Sequence, residues 1–513
     1  MTGHGHTAGA TVGLGLGADE LVGALLSLDP ARRLHLLDSG GARGGGARLL
    51  VAGFDPVEYV EAFGDELHLW PRGERLARIR RGPVLGLLDE RLGELRPGAA
   101  RAGALPPEGT QAFDLGAHAF DLGAGGACFV TLSYELARQF ERLRVAPAAS
   151  RDAAGPDAVL AFFDLLVVHD YARGATFLAG ADAGRERLRE TADELLASAA
   201  AWRRGAQAGP ETAARPGGEE AGGPHVSGPL SLPAGVSSNF TRGEYEEAVE
   251  RVREHIRAGD IYQANLTQRV VCPPRASAAP EQVFLRLRSE HPAAFGAFLR
   301  QGDRAVVSAS PERFLRVAPA GGELGVETWP IKGTRPRGRD AREDARLRAE
   351  LLASEKDRAE NVMIVDLMRN DLGRVCRFGS VEVTELCALQ EHPTLFHLVS
   401  KVRGVLREGV TAGGLLRAAF PCGSVTGAPK LRAMEILDGI EPSPRGVSMG
   451  SLGYFTPGGA ADLNVAIRTV TFGPDGAASF HVGGGVVADS SPAAEYDETL
   501  VKARAVLRAL RAG

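Results

Sequence analysis

Cysteine is scarce in this sequence, with five residues among 513, at positions 128, 272, 376, 387 and 422. Their number is odd and no two of them form a C-x-x-C pair, so the pattern favours neither a disulfide framework nor a zinc site. Scattered cysteines of this kind are typical of proteins that fold in a reducing compartment. We therefore expect the protein to be cytoplasmic.

Long apolar runs and clusters of positive charge are also missing. Nowhere do 18 uninterrupted apolar residues occur, and the N-terminus lacks the basic segment of a signal peptide. The formal net charge is −5, and there is no basic tract or alternation of basic with aromatic residues. We therefore expect neither a membrane span nor a nucleic-acid partner.

Apolar side chains are plentiful, at 44% of residues, which is enough to bury a large core. The composition divides the chain into four predicted segments. These are a disordered tail (1–19), a mixed α/β region (20–203), a linker of Gly, Pro, Ala and Glu (204–236) and a second α/β region (237–513).

The most unusual stretch is P-I-K-G-T-R-P-R-G at residues 330–338, after a predicted strand at residues 325–329. Gly333 lets the backbone come close to a ligand, and Pro336 delays the start of the next helix. Lys332 in this predicted turn suits a nucleophile, a general base or an anion clamp. An isolated K-G-T is more often a solvated basic loop, so its role depends on the residues near it.

Two acidic pairs with a three-residue spacing lie on predicted helices: Asp357 with Glu360, and Glu495 with Glu498. The helices are predicted over residues 340–372 and 493–510, and a further helix is predicted over residues 394–406. Each pair occupies one helix face, which alone is usually a solvated surface. Two such faces brought together make an oxygen-rich cage of the kind that Mg²⁺ favours.

Two glycine-rich turns could bind anionic oxygens through free backbone N–H groups: P-C-G-S-V-T-G-A-P-K (421–430) and H-V-G-G-G-V-V-A-D-S (481–490). Neither has the spacing of a P-loop or of a dinucleotide fingerprint. Arg468 is predicted on a strand, where it would need a carboxylate partner, and Lys502 lies one turn after Glu498. The residues alone thus predict a site in which a metal ion and basic side chains bind a small polycarboxylate.

Nine ordered motifs carry a family resemblance: I-Y-Q-A-N-L-T-Q-R (261–269), S-A-S-P-E-R-F-L (308–315), P-I-K-G-T-R-P-R-G (330–338), D-R-A-E-N-V-M-I-V-D-L-M-R-N-D-L-G (357–373), H-L-V-S-K-V (397–402), P-C-G-S-V-T-G-A-P-K (421–430), A-I-R-T (466–469), G-G-G-V-V-A-D-S (483–490) and E-Y-D-E-T (495–499). Through them, the chain from about residue 241 to residue 510 resembles the chorismate-utilising enzymes. This family includes the synthases of anthranilate, aminodeoxychorismate, isochorismate and salicylate. The N-terminal half matches more weakly, through L-L-D-S (36–39) and L-S-Y-E-L (132–136).

The resemblance implies an α/β (α+β-like) fold in which antiparallel sheets from both halves pack as a sandwich with helices outside. Residues 20–203 would then be the N-terminal region of a component I protein, and residues 237–513 the chorismate-binding catalytic domain. Because both halves would share the sheets, the linker need not be a structural boundary.

The resemblance also implies roles for individual residues. Mg²⁺ would be bound directly by Glu360 and Glu498, with help from Asp357 and Glu495, and would hold the ring carboxylate of chorismate. The enolpyruvyl carboxylate would be bound by Tyr454, Arg468, Lys502 and the backbone amides of Gly483, Gly484 and Gly485. The remaining expected contacts with the substrate are Thr334, His397, Thr426 and Gln263, of which His397 and Thr426 would face the ring as catalytic residues.

Two positions separate the reactions within the family. Members that add water at chorismate C2 resemble one another in a lysine base where this chain has Gln263, so ammonia is the expected nucleophile here. Anthranilate synthases have alanine where this chain has Lys332, whereas aminodeoxychorismate synthases have lysine. The resemblance then implies that neutral Lys332 attacks C2 while the 4-hydroxyl leaves with a proton from Glu312. Ammonia would enter C4 to give 4-amino-4-deoxychorismate, on the way to 4-aminobenzoate and folate.

A separate subunit is the expected source of ammonia. None of the five cysteines lies between the glycines of a glutaminase elbow, so a separate glutamine amidotransferase subunit (component II) is the expected partner.

The alternative reactions are those of an anthranilate synthase, a 2-amino-2-deoxyisochorismate synthase or another ammonia-using enzyme of secondary metabolism. An alternative of a different class is a non-catalytic homologue that binds chorismate as a regulator.

Overall fold

The computed structural model describes residues 10–41, 48–95, 126–143, 155–180, 185–208, 231–274, 277–391 and 395–511. Within these ranges the chain forms two antiparallel sheets of twelve strands each. The strands Ala127–Leu132 and Ala158–Phe163 are buried at every residue, as expected for strands covered on both faces. This part of the second sheet is therefore an internal layer of the molecule.

The strands are, in chain order, β1 (Ala10–Gly13), β2 (His35–Asp38), β3 (Leu49–Gly53), β4 (Glu58–Phe63), β5 (Glu66–Pro71), β6 (Arg78–Arg81), β7 (Ala127–Leu132), β8 (Ala158–Phe163), β9 (Leu165–Asp170), β10 (Ala175–Gly180), β11 (Ser237–Ser238), β12 (Gln263–Cys272), β13 (Phe295–Gln301), β14 (Arg304–Ser310), β15 (Arg313–Ala320), β16 (Glu323–Trp329), β17 (Ile331–Pro336), β18 (Glu382–Glu391), β19 (Leu395–Val405), β20 (Gly427–Ala428), β21 (Ser451–Phe455), β22 (Ala461–Asn464), β23 (Thr469–Phe472) and β24 (Ala478–Val486). The first sheet has the order β1-β10-β9-β3-β2-β13-β14-β23-β24-β12-β11, with β20 paired to β12. The second has the order β17-β19-β16-β15-β22-β21-β7-β8-β4-β5-β6, with β18 paired to β19.

The α-helices are α1 (Ala18–Leu26), α2 (Val84–Glu94), α3 (Arg185–Ala208), α4 (Arg242–Arg257), α5 (Pro280–Glu290), α6 (Ala341–Ala353), α7 (Glu355–Gly373), α8 (Ala412–Ala419), α9 (Lys430–Ile440) and α10 (Pro492–Leu510). Helix α4 begins at a capping box formed by Thr241 and Glu244, which satisfies two backbone N–H groups at the helix start. No helix in the described ranges is long and apolar enough to span a membrane.

Each sheet contains strands from both halves of the chain. In the first sheet β2 pairs with β13, with Leu37 opposite Ala297, and in the second β7 pairs with β21, with Phe129 opposite Tyr454. Leu37 also packs against a buried cluster that contains Leu452 of the second sheet. The predicted sandwich of antiparallel sheets from both halves is therefore confirmed, and the linker does not divide the fold.

The predicted disordered tail over residues 1–19 is wrong for residues 10–19. Residues 10–13 form β1, which pairs with β10, and α1 begins at Ala18. Buried Leu14 and Leu16 anchor the connection between them in the core. Residues 1–9 lie outside the described ranges. Residues 204–208, assigned by composition to the linker, extend α3, and residues 209–230 also lie outside the described ranges.

Two helix predictions around the candidate site are also wrong. Within residues 394–406, predicted as a helix, the chain instead forms strand β19 (Leu395–Val405), in which Phe396, Leu398 and Val399 are all buried, and residue 394 lies outside the described ranges. A strand buried on both faces shows no alternation of polar and apolar residues, so its pattern could not be told from that of a buried helix. The single helix predicted over residues 340–372 is two helices, α6 and α7, divided at Ser354.

Candidate active site

Lys332 lies on strand β17 next to a bulge. Strand β17 pairs with β19, and its register shifts between Lys332, opposite Leu398, and Thr334, opposite His397. The intervening Gly333 has φ +82°, a conformation that favours glycine. A Cβ atom there would lie 3.0 Å from the Cβ of Asp357. Glycine therefore lets the strand carrying Lys332 pack directly against the helix carrying Asp357.

The Lys332 ammonium lies beside a buried carboxylic acid. Its Nζ donates a hydrogen bond to the Ser424 carbonyl oxygen at 3.3 Å. Glu312 is 4% exposed, and its Oε1 has no hydrogen-bond partner among the described residues. Burial raises the pKa of Glu312 to about 7, although the Ser424 hydroxyl, the Lys332 charge and the Ile331 backbone N–H favour its ionised form. Glu312 can therefore hold a proton near neutral pH.

Thr334 and His397 meet across the strand pair. The Thr334 Oγ1 and the His397 Nδ1 are 2.8 Å apart, and His397 is buried. The sequence-based prediction that these residues share a site with Lys332 agrees with their places on β17 and β19. Their contact with the substrate stays a prediction.

Thr426 and Gln263 lie where strand β12 meets the turn after Cys422. The Thr426 hydroxyl lies 3.2 Å from the Cys422 and Gly423 carbonyl oxygens, and the Thr426 carbonyl accepts a hydrogen bond from the Asn265 N–H at 2.7 Å. Gln263 is 1% exposed, and its Oε1 has no partner among the described residues. A buried amide oxygen without a donor is costly unless a ligand satisfies it.

The glycines of β24 form a floor for the acidic side chains. A Cβ atom on Gly484 would lie 3.0 Å from Glu495 Oε2 and 3.8 Å from Glu498 Oε1, and one on Gly485 would lie 3.5 Å from Glu360 Oε2 and 2.0 Å from the Gln263 Nε2. The backbone of the G-G-G motif is therefore covered by carboxylates that any side chain would displace. The remaining glycine of the motif, Gly483, packs its backbone on Leu266 of β12. A Cβ atom on Gly483 would lie 2.1 Å from the Leu266 carbonyl oxygen.

We call Asp357, Glu360, Glu495 and Glu498 the acidic cluster. Burial raises the pKa of Glu360, although the Lys332 and Lys356 ammonium groups oppose the shift. Burial acts in the same direction on Glu498, but Lys502 outweighs it and lowers the pKa of that carboxyl. The cluster thus brings together both predicted acidic pairs, from α7 and from α10.

Basic side chains neutralise this cluster. Lys502 Nζ is 2.7 Å from Glu498, Lys356 Nζ is 3.7 Å from Glu495, and Arg335 is 3.3 Å from Asp357. Among the described residues, no three acidic, histidine or cysteine side chains stand at the spacing of metal ligands. The donor set nevertheless suits Mg²⁺, because carboxylates from two helices converge over the same two glycines and supply only hard oxygen atoms.

Arg468 does not lie on a strand, contrary to the prediction. It precedes β23 with φ +50°, and its carbonyl accepts a hydrogen bond from the Ala309 N–H at 3.1 Å. Its side chain forms no ion pair or hydrogen bond within the described ranges, and burial lowers its pKa. A half-buried guanidinium with no anion beside it suits a carboxylate ligand. Tyr454, the other predicted carboxylate contact, is half-buried on β21, with its ring 6.3 Å from Phe129.

Three structural features of the site were not predicted from the sequence. Ser424 contacts Lys332 and lies beside Glu312, although it belongs to a motif that had been singled out. Lys430, at the end of that motif, pairs with buried Asp371 at 2.6 Å. Buried Arg445 donates to the carbonyl oxygens of Val425 and Asn265, and pairs with Glu441. Apart from the Arg445–Glu441 pair, which has a four-residue spacing, these contacts join residues that are distant in sequence, so spacing gave no signal for them.

Comparison with known proteins agrees with this geometry. A family profile described as chorismate binding enzyme matches residues 90–508. Aminodeoxychorismate synthase component 1 of Escherichia coli (strain K12) is 39% identical over 394 residues, which cover 77% of this chain and 79% of that protein. Anthranilate synthase component 1 of Streptomyces coelicolor is 41% identical over 387 residues, which cover 74% and 72%.

Solved structures share the fold. Anthranilate synthase component I from Streptococcus pneumoniae TIGR4 superposes with a TM-score of 0.66 at 26% identity, covering 91% of this chain and 93% of that one. A menaquinone-specific isochorismate synthase from Escherichia coli has a TM-score of 0.62 at 14% identity, covering 97% and 94%, and shows the fold alone. Because the family profile matches residues 90–508, which is most of the chain, this protein belongs to the chorismate binding enzymes.

Proposed function

We propose that this protein is an aminodeoxychorismate synthase of the component I type, which converts chorismate and ammonia into 4-amino-4-deoxychorismate. The observation that carries the proposal is the contact set of Lys332. Its ammonium lies beside Glu312, a buried acid with a pKa of about 7, and its charge acts on Glu360 and Glu498 of the acidic cluster. A nucleophile, a proton donor and a carboxylate-rich binding site therefore adjoin one another.

The proposed chemistry uses these groups in order. Lys332, as the neutral amine, attacks C2 of chorismate through Nζ, and the electron pair moves through the ring to expel the 4-hydroxyl group. Glu312 gives its proton to the departing oxygen, so water leaves. Ammonia then attacks C4, and the electron pair returns to expel Lys332 from C2. The two successive displacements together give retention of configuration at C4.

Substrate binding in this proposal depends on the cations and the acidic cluster. Glu360 and Glu498, helped by Glu495 and Asp357, would hold Mg²⁺, which supplies positive charge for the ring carboxylate of chorismate. Arg468, which has no anionic partner within the described ranges, would pair with the enolpyruvyl carboxylate. Gln263 would offer its unpartnered Oε1 to a donor on the substrate or to ammonia.

Anthranilate synthesis is the second candidate reaction. Relatives named anthranilate synthase component 1 match at 41% and 44% identity, so overall identity does not separate the two reactions. The residue that separates them is Lys332, because a side chain bound to C2 blocks ammonia from that carbon. We therefore favour addition at C4.

The experiment that tests the proposal is product identification from chorismate, Mg²⁺ and ammonium. Incubation with a lyase that releases 4-aminobenzoate from 4-amino-4-deoxychorismate should give 4-aminobenzoate, and omission of the lyase should leave the aminated intermediate. Anthranilate as the main product would overturn the proposal in favour of the second reaction. No turnover under any of these conditions would favour a non-catalytic chorismate-binding protein.

The name component 1, carried by the relatives, points to a second subunit. We include in the proposal a separate glutamine amidotransferase that supplies ammonia, and a product that leads to 4-aminobenzoate and folate. Binding of such a subunit should couple glutamine hydrolysis to chorismate amination.

A further inference from the structure

Lys356 contacts the acidic cluster, and neither the sequence motifs nor the proposed reaction gives it a role. It lies in the first turn of α7, one residue before Asp357. Its Nζ is 3.7 Å from Glu495 Oε1, and the two side chains are 54% and 5% exposed. A half-exposed lysine therefore reaches into a site whose carboxylate is almost completely buried.

The charge of Lys356 also acts on other members of the cluster. It favours the ionised forms of Glu360 and Glu498, which lie on different helices. Without a cation nearby, three carboxylates in a shared, largely buried space would repel one another and resist ionisation. Lys356, whose ammonium is 3.7 Å from Glu495, thus supplies part of the positive charge beside the carboxylates in the ligand-free chain.

The other lysine at the cluster is held more firmly. Lys502 pairs with Glu498 at 2.7 Å and also donates a hydrogen bond to the Gly483 carbonyl oxygen at 3.0 Å. Lys356 has only the longer contact with Glu495, whose Oε1 also accepts a hydrogen bond from Ser490 at 2.6 Å. Lys356 can therefore turn out to solvent without leaving a buried polar group unpaired.

We propose that Lys356 is a displaceable internal counter-ion, which neutralises the acidic cluster in the ligand-free chain and competes with a divalent cation for Glu495. The proposal rests on the magnesium site of the proposed function. It assigns Lys356 a positioning role in which the lysine sets the affinity of the cluster for the metal. The expected change in metal affinity when Lys356 is removed is opposite in sign to that for a residue that helps to build the metal site. Removing a competing cation strengthens metal binding, whereas removing a structural support weakens it.

The test is Mn²⁺ binding to the full-length chain without substrate, measured by the loss of the free Mn²⁺ electron paramagnetic resonance signal. Lys356→Gln should lower the Kd for Mn²⁺ about fivefold, because one opposing charge at the site is removed. The matched control is Arg369→Gln, which removes the same charge from the same helix. Arg369 pairs with exposed Asp366 at 3.0 Å, a partner outside the acidic cluster. The control should leave the Kd unchanged.

Thermal unfolding gives a second measurement. In chelator, Lys356→Gln should melt below the wild type, because the cluster has lost a counter-ion. In saturating Mn²⁺ it should gain more stability than the wild type, because ligand stabilisation grows as the Kd falls. A variant that melts lower in both conditions by the same amount would show a structural role alone and overturn the proposal.

The outcomes separate this proposal from the one on which it rests. Wild-type binding of Mn²⁺ with an unchanged or weaker Kd in Lys356→Gln would overturn the counter-ion role and leave the metal site standing. Absence of binding in both proteins would overturn both proposals. Binding by Lys356→Gln alone would support competition, with the wild-type lysine holding the site against the metal.

Discussion

At the scale of single residues, the site is set by burial and by a small number of charges. Lys332 could be singled out because its motif has an unusual composition, whereas Glu312 and Gln263 were singled out only through the family resemblance. The contacts of these residues with the rest of the site could not be predicted from the sequence. Ser424 approaches Lys332 across 92 residues of sequence, and Lys356 approaches Glu495 across a still longer stretch, so only the folded chain shows these pairs.

Replacement of the proposed nucleophile gives the first prediction. Lys332→Ala should lower the formation of 4-amino-4-deoxychorismate about a thousandfold, because it removes a group that acts in the covalent step. Some anthranilate should form instead, since C2 becomes open to ammonia. The measurement is separation of both products after incubation with chorismate, Mg²⁺ and ammonium. Formation of the 4-amino product at the wild-type rate would show that the reaction needs no covalent lysine.

Glu312 gives a prediction that links catalysis to stability. Its folded-state pKa of about 7 lies above the usual value of 4.5, so the folded chain holds the proton more tightly than the unfolded chain. Stability from this group is therefore complete below pH 4.5 and falls as pH rises through 7, by about 3 kcal/mol in total. Glu312→Gln cannot ionise and should escape this loss.

The expected result is that Glu312→Gln melts at a higher temperature than the wild type at pH 8.5 and has no advantage at pH 4.5. Its turnover should nevertheless fall about 100-fold or more, because the amide has no proton to give to the leaving hydroxyl. Thermal unfolding across this pH range checks the stability, and steady-state assays check the turnover. Equal melting temperatures at both pH values would contradict the raised pKa.

At the scale of secondary-structure elements, the site depends on two irregularities that sequence patterns hide. Strand β17 has a bulge at Gly333. Asp357 and Glu360 lie on a separate helix that begins after Ser354, whose hydroxyl accepts a hydrogen bond from the Asp357 N–H at 3.3 Å. That cap replaces the backbone bonds missing at the start of α7. The acidic pair was predicted correctly on a helix, but the break that orients it has no signature in periodicity.

The bulge gives a prediction with a matched control. Gly333→Ala should lose about tenfold or more in turnover, because the new Cβ would press on Asp357 and Leu351 at 3.0 Å and shift Lys332. Gly321 also has a positive φ, +61°, but a Cβ there would meet nothing within 4 Å. Gly321→Ala should therefore share the backbone strain, about 1 kcal/mol, and keep wild-type turnover. Equal effects of the two variants on turnover would assign the loss to backbone strain alone.

At the scale of the whole molecule, the two halves of the chain form one structure. The first sheet joins β2 to β13 and the second joins β7 to β21, so separation of the halves would expose strand edges in both sheets. Composition marked a segment poor in large apolar residues, but composition does not show which strands pair. The family resemblance supplied that information, and physical patterning did not.

Separate expression of the halves tests this unity. Residues 1–208 and 231–513, produced alone, should each aggregate or show no cooperative melting, since each would expose apolar surface now buried against the other. Co-expressed, they should copurify and recover turnover. A monomeric 231–513 fragment with a cooperative transition would show that the catalytic half folds independently.

The last prediction concerns the nitrogen source of the whole chain. A glutaminase needs a reactive cysteine thiolate, and all five cysteines here are buried. Burial raises the pKa of Cys272 and raises that of Cys376 to about 11 and of Cys422 to about 12, so these thiols stay protonated at neutral pH. We expect the purified chain to aminate chorismate with ammonium and not with glutamine.

The rate should rise with pH from 7 to 8.5, because the neutral ammonia fraction grows in that range while ammonium dominates the total. Addition of a separate glutaminase subunit should confer glutamine-dependent turnover. The control is the cysteine-alkylating reagent that inactivates such subunits, which should abolish the glutamine-dependent rate of the complex and leave the ammonium-dependent rate of the chain intact. Glutamine-supported turnover by the chain alone, free of contaminating glutaminase, would place a second active site within it.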